Sequence, residues 1–235
     1  MAGGRYHHVC GYILGFPEDT AASIERDIEI LKRELPVDCL EFFVLTPLPG
    51  SEDHQKLARS GVAMEPDMNK YDLEHICTAH GRMTPEEWQS VYERAWSQYY
   101  SMEHIETLLR RAIADGIPAK RLMLSLVVFR GMPLIERVHP LQGGYLRLKV
   151  RRTRRPGSPP DNALQFVLRY CMETIGKLGR LGALVWRVNQ LRRRALREHA
   201  LSGYTDVAIA KLPQGAESQL EIMQERPRLE LAAIG

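Results

Sequence analysis

The chain has 235 residues, 44% of them hydrophobic and 26% charged, with a formal net charge of +3. That balance excludes a collagen-like, low-complexity or wholly disordered polypeptide, and the length suffices for one large core or two small ones. No apolar run reaches the roughly eighteen residues of a membrane span, and no apolar stretch with a cleavage site follows the first five residues, so a secreted, disulfide-stapled protein is not expected.

Residues 8–16 are almost continuously apolar and end at Pro17. Such a run reads as a strand buried on both faces, as in a parallel sheet. Glu18, Asp19 and Thr20 then offer helix-capping groups. Ile24, Ile28, Leu31 and Leu35 follow at helical spacing, the stripe of an amphipathic helix that Pro36 stops. A second strand is predicted over residues 39–45. Thr46, Pro47, Leu48, Pro49 and Gly50 make a stiff turn, and Ser51 caps a short helix that Gly61 ends. Strand, helix, strand, helix implies parallel pairing. Both strands read as interior, because long apolar edges are rare. Their hydrogen-bonding partners are therefore expected outside this chain, with further strands N-terminal to it. The next strand-like segment, residues 144–150, is short and basic.

Residues 62–81 read as irregular. Thr84, Pro85, Glu86 and Glu87 form a capping box with proline at the first helical position. Trp88, Val91, Tyr92, Ala95, Trp96 and Tyr99 recur behind it at helical spacing, a stripe that could line a cofactor pocket but that more often is simply helix packing. A second helix starts after Ser101 and ends at Gly116, and residues 122–128 belong to a third. Beyond Pro156, Pro159 and Pro160, a long helix is predicted from Asp161 or Asn162 to about Ala200. Its apolar face comprises Leu164, Val167, Cys171, Ile175, Leu178, Leu181, Val185 and Leu191, and its basic face Arg169, Lys177, Arg180, Arg187, Arg192, Arg193 and Arg194.

Charge divides the chain into an acidic front, a basic middle and a short acidic tail. Residues 1–144 hold 15 Lys/Arg against 21 Asp/Glu, residues 145–200 hold 14 against 3, and residues 201–235 hold 3 against 5. Such shifts mark changes of domain or partner. The expected divisions are 1–61, two βα units; 62–144, a helical extension; 145–200, a basic region with the long helix; and 201–235, a disordered tail.

The informative segment is Gly11, Tyr12, Ile13, Leu14, Gly15, Phe16, Pro17 and Glu18. It is an apolar strand with glycines spaced to lie on one face, delivering a carboxylate and a helix start at its C-terminal end. Glycine in a strand lets a backbone or ligand approach, and that end is where α/β sheets and barrels bind ligands. A flat ring such as adenine could lie against Ile13, its edge read by backbone near Gly15. The spacing GxIxGxxE resembles the fifth-strand motif of the radical S-adenosylmethionine enzymes. The turn from Gly15 to Thr20 resembles the GFPxxT turn of the cobalamin-binding subgroup, and Thr46 to Gly50 resembles its TPxPG turn after strand six. The resemblance is tight over residues 8–61. It continues more loosely through Lys70, Tyr71, Asp72, His80, residues 83–88, residues 139–141 and residues 155–157.

That resemblance implies the last two βα units of a partial parallel barrel, followed by a mostly helical extension. It assigns Gly11, Ile13, Gly15 and Glu18 to the nucleotide site, Ile13 foremost, and puts residues 46–50 at the same rim. It implies S-adenosylmethionine, a [4Fe–4S] cluster and cobalamin in the intact enzyme, which would reductively cleave S-adenosylmethionine to a 5′-deoxyadenosyl radical, with methyl transfer in some relatives. The departures are as informative. Three cysteine thiolates hold such a cluster, leaving its fourth iron for the nucleotide, and the four cysteines here, Cys10, Cys39, Cys77 and Cys171, contain no CxxxCxxC. The glycine-rich strand and the cobalamin domain are also lacking. The expected partner is the N-terminal barrel and cobalamin-binding portion, from the same gene or a separate chain, and the chain alone is expected to be inactive and to fold poorly.

His75, Cys77 and His80 place three ligand types in six residues, but no second pair stands at metal-site spacing, so no metal ligand is assigned. Residues 147–155, with six basic residues in nine, and the helix behind them admit a solvated surface, an anionic membrane surface met by residues 147–197, or nucleic acid. The last lacks base-stacking aromatics within the block. The expected location is cytoplasmic, with a peripheral place at the inner membrane surface in the second case. The alternative to the enzyme fragment is a non-catalytic interaction module whose basic helix meets a membrane or a protein.

Overall fold

In a computed structural model, which describes residues 8–142, 149–151 and 162–210, the two apolar runs pair side by side. Strands β1 (Val9–Leu14) and β2 (Cys39–Val44) run parallel, in register from Val9 opposite Cys39 to Leu14 opposite Val44. Helix α1 (Ala21–Glu34) makes the crossover, its start fixed by a reciprocal box between Thr20 and Ser23, a device worth about 1 kcal/mol. Then follow α2 (Glu52–Arg59), α3 (Pro85–Tyr99), α4 (Met102–Ala114) and α5 (Ala119–Gly131), the last running into a π-helical turn at Met132–Glu136. Helix α6 (Ala163–Ser202) is the longest element.

The core forms where α1 and α3 meet one face of the sheet. Ile24 and Ile28 of α1 are fully buried, as are Leu14, Phe42 and Val44 of the strands. Phe42 stands edge-on to Trp96 and Tyr99 of α3, with ring centres 5.1 and 6.1 Å away, the geometry that the aromatic quadrupole favours. The aromatic stripe of α3 is thus helix packing. On the far side, Leu184, Val188 and Ala195 of α6 are buried where it meets α4 and α5. Buried Arg111 of α4 ties the layers together. It donates to the carbonyls of Lys32 and Leu35 at the end of α1 and pairs with Asp206 at 2.7 Å.

The described chain is mixed α/β, mostly helical, with a single two-stranded parallel sheet. Several sequence expectations need correction. The sequence predicts an interior β2 with partners elsewhere, but its far edge is closed by this chain. The Tyr100 hydroxyl accepts from Leu40 N–H and donates to Leu40 C=O, both at 2.8 Å, and Val44 N–H donates to the Leu73 carbonyl. The apolar face assigned to α6 is largely solvent-facing: Leu164, Val167, Cys171, Ile175, Leu178 and Val185 are exposed. The side that packs is offset, through Leu184 and Val188. Nor does order stop at residue 201: α6 runs through Ser202, and residues 203–210 fold back so that Asp206 reaches Arg111 and Tyr204. The rest of the tail, 211–235, and most of residues 144–150 lie outside the described residues; Lys149 and Val150 are not strand.

Candidate functional site

The two edges of the sheet are not alike. The backbone groups of β1 that bond β2 come from the parity of His8 and Leu14, whose carbonyls accept from Cys39 and Leu45. Val9, Gly11 and Ile13 therefore turn their backbone groups to the outer edge and their side chains to the face away from α1. Among the described residues no strand pairs with that edge. The same face carries Cys39, Glu41 and Phe43 of β2. Over β2 it is covered in steps, Cys39 fully buried and Phe43 stacked on the ring of His139 at 4.9 Å, while over β1, apart from the Phe43 ring beside Gly11, the side chains of Val9 and Ile13 are exposed. Ile13 is 45% exposed and Val9 52%.

Each residue assigned to the nucleotide site has a definite place here. Ile13 offers free apolar surface at the C-terminal end of a parallel strand. Gly11 sits on the same face, but Phe43 fills the room it leaves: a Cβ there would lie 3.1 Å from the Phe43 ring. Gly15 has φ +100°, and a Cβ would stand 2.0 Å from the indole of Trp88. Its glycine is required by the turn and by that indole. The Gly15 and Phe16 N–H groups both donate to Asp19 Oδ2 at 2.8 Å, so they are engaged within the turn. Glu18 is well exposed and pairs with Arg82, which also donates to the Glu18 carbonyl. Thus Gly11 and Ile13 share a face with Glu41, whereas Gly15 and Glu18 belong to the adjoining turn. In the turn that follows β2, Gly50 has φ +88° and Thr46 donates to the Val44 carbonyl.

Sequence reasoning missed what holds this turn. His80 Nδ1 accepts from the N–H groups of Arg82 and Met83, which leaves Nε2 as the donor to the Phe16 carbonyl at 2.8 Å. Its ring stands edge-on to Trp88. Both nitrogens being used, His80 acts as a strut. His75 pairs with Asp72, and the buried Cys77 thiol donates to the Lys70 carbonyl, its pKa raised to about 11 chiefly by burial. The three therefore have separate partners, and no group of three metal-ligating side chains occurs among the described residues. Sequence reasoning also missed Glu41, a carboxylate inside an apolar strand, which was the available signal. Burial raises its pKa, and it makes no hydrogen bond or ion pair among the described residues.

The fit to the implied cofactors is uneven. Ile13 presents a surface suited to a flat aromatic ring, with Glu41 two residues back along the neighbouring strand, opposite Gly11. The cluster does not fit: Cys39 and Cys77 are buried with their thiols held protonated, and Cys10 and Cys171 are exposed on β1 and α6. No known protein family, curated protein or solved structure matched the chain.

Proposed function

We propose that this chain is the closing portion of a cobalamin-type radical S-adenosylmethionine barrel, with β1 and β2 as its fifth and sixth strands. One observation carries the reading: the chain seals the far edge of β2 with its own Tyr100 and Leu73, yet among the described residues no strand pairs with the outer edge of β1, beside an exposed Ile13. A last strand needs a seal and the one before it needs a neighbour, which is the order the two turn motifs imply. In this reading the other strands, the cluster-binding thiols and the cobalamin domain belong to the N-terminal portion, in the same gene or a separate chain. Docked there, Ile13 packs on the adenine ring and Glu41 supplies a carboxylate on the same wall. Radical formation belongs to the assembled enzyme, and this chain alone provides neither cluster nor cleavage.

Purification from the native host under anaerobic conditions, with sequencing of whatever is fused to or co-elutes stoichiometrically with this chain, tests the proposal. A CxxxCxxC-bearing polypeptide and visible cluster absorption are expected in the assembly, with no cluster on the chain reconstituted alone. A stable free chain with no such partner overturns it, as does a stoichiometric four-iron cluster on the chain by itself.

A further inference from the structure

Helix α6 carries a second apolar surface, directed away from the core. Leu164, Leu168, Met172, Ile175, Leu178 and Trp186 are each about half exposed or more. At 100° per residue they fall within about 120° of arc, over a length of about 33 Å. Leu184, Val188 and Ala195, which pack on the core, lie on the opposite side. Residues 163–202 hold eight Lys/Arg and two Asp/Glu. Lys177 is paired with Glu136 and Arg194 with Glu198, but Arg180, Arg187 and Arg193 make no ion pair among the described residues. Arg180 and Arg187 line one flank of the apolar face, and Arg193 continues the face beyond Trp186.

We infer that this face of α6 binds the surface of an anionic lipid bilayer, the helix lying flat in the interface. Aliphatic side chains with a tryptophan, flanked by arginines, have the chemistry of an interfacial helix, the apolar side entering the acyl boundary while the cations meet lipid phosphates. A crossing orientation is not at issue, since no described helix is long and apolar enough to span a membrane. A second copy of the chain fits the face less well. A heptad seam along 164, 168, 171, 175, 178, 182 and 185 would place Gly182 at a packing position. Its flanking positions, Met172, Gly179, Trp186, Val167, Thr174 and Leu181, carry no charges with which to select a partner helix. Bilayer binding needs neither knobs nor paired charges. The inference does not rest on the barrel reading.

Flotation of the full chain with vesicles tests it. Binding is expected to phosphatidylcholine vesicles containing about a third phosphatidylglycerol, little to phosphatidylcholine alone, and less as salt rises. Arg180→Gln and Arg187→Gln should each lower the partition coefficient about fivefold. Ile175→Asp should lower it at least about tenfold with helix content unchanged by circular dichroism, since the side chain is exposed. Equal binding to both vesicle types, no binding to either, or wild-type binding by Ile175→Asp overturns the inference. So does a dimer in ultracentrifugation that Ile175→Asp dissociates while the vesicles leave the protein unbound.

Discussion

Tyr100→Phe isolates the seal on β2. The hydroxyl lies 2.8 Å from both Leu40 N and Leu40 O, and Tyr100 is fully buried, so water has no route to replace it. Removing one oxygen leaves a donor and an acceptor unpaired, at about 1–3 kcal/mol for each orphaned group. A loss of about 3 kcal/mol is the expected sum, a large part of the stability of a typical domain. Tyr99→Phe is the internal control. Tyr99 is the preceding residue and equally buried, and it loses the same atom, but its hydroxyl makes one backbone bond, to the Val37 carbonyl at 2.8 Å. An under-satisfied carbonyl is tolerated better than an orphaned N–H, so about 1 kcal/mol is expected. Urea unfolding followed by tryptophan fluorescence reports both, since Trp96 stacks near Tyr100 with ring centres 6.1 Å apart. The shift should appear in the midpoint, with the slope unchanged. Equal costs for the two variants, or a Tyr100→Phe cost under about 1 kcal/mol, would refute the argument that a side chain substitutes for a neighbouring strand.

Gly15→Ala should cost at least about 3 kcal/mol in the same urea series, because φ +100° and the Trp88 indole both exclude a Cβ; near-wild-type stability would show that the turn can relax. Burial, then the positive charges of Arg111 and Lys32, lower the His104 pKa to about 3, so the unfolded chain binds a proton near pH 6.5 that the folded chain refuses. Stability should therefore be complete above about pH 6.5 and fall as pH drops towards 3, by up to about 1.4 kcal/mol per unit. His104→Phe, which keeps the edge contact with Tyr99, should flatten the decline between about pH 6.5 and 5, and an unchanged slope would assign the decline elsewhere.

The elements that were legible are those written in local chemistry. Thr20, Ser51, Thr84 and Ser101 each accept from a backbone N–H of the helix they open. Gly61 and Gly116 adopt positive φ where the chain leaves a helix. The two strands stood out by their continuous apolar composition, although that composition is buried along β2 and, in β1, only at Leu14. What escaped sequence reasoning depends on contacts between distant segments. Nothing in residues 39–45 announces that a tyrosine 60 positions later will occupy the edge of β2. The glycines of the candidate site were recognised as points of close approach, but their visitors, Phe43 and Trp88, come from other elements. Helix α6 misled for a different reason. It has apolar residues on two sides, and periodicity records that a stripe exists without recording which stripe the rest of the fold will cover.

The two bare surfaces of this chain make different physical demands. Natural edge strands commonly carry lysine, proline or a bulge that discourages pairing; β1 reads Val9, Cys10, Gly11, Tyr12, Ile13 and Leu14, with none of these. Its outer edge offers a row of backbone donors and acceptors beside apolar side chains, and another strand would satisfy both at once, where Tyr100 and Leu73 satisfy them singly on β2. A helix placed there would cover the side chains and leave the amides orphaned unless its side chains bonded them, as Tyr100 bonds Leu40. The exposed face of α6 is the converse. Its backbone bonds are made within the helix, so a partner need supply no hydrogen bonds, only an apolar depth and negative charge for the arginines along its rim. One surface therefore calls for specific pairing and the other for a medium, and a single globular partner covering both would have to present a strand edge to the first and an anionic apolar slab to the second. That division is the physical ground for treating the two proposals, barrel completion and bilayer contact, as separate, each with its own test.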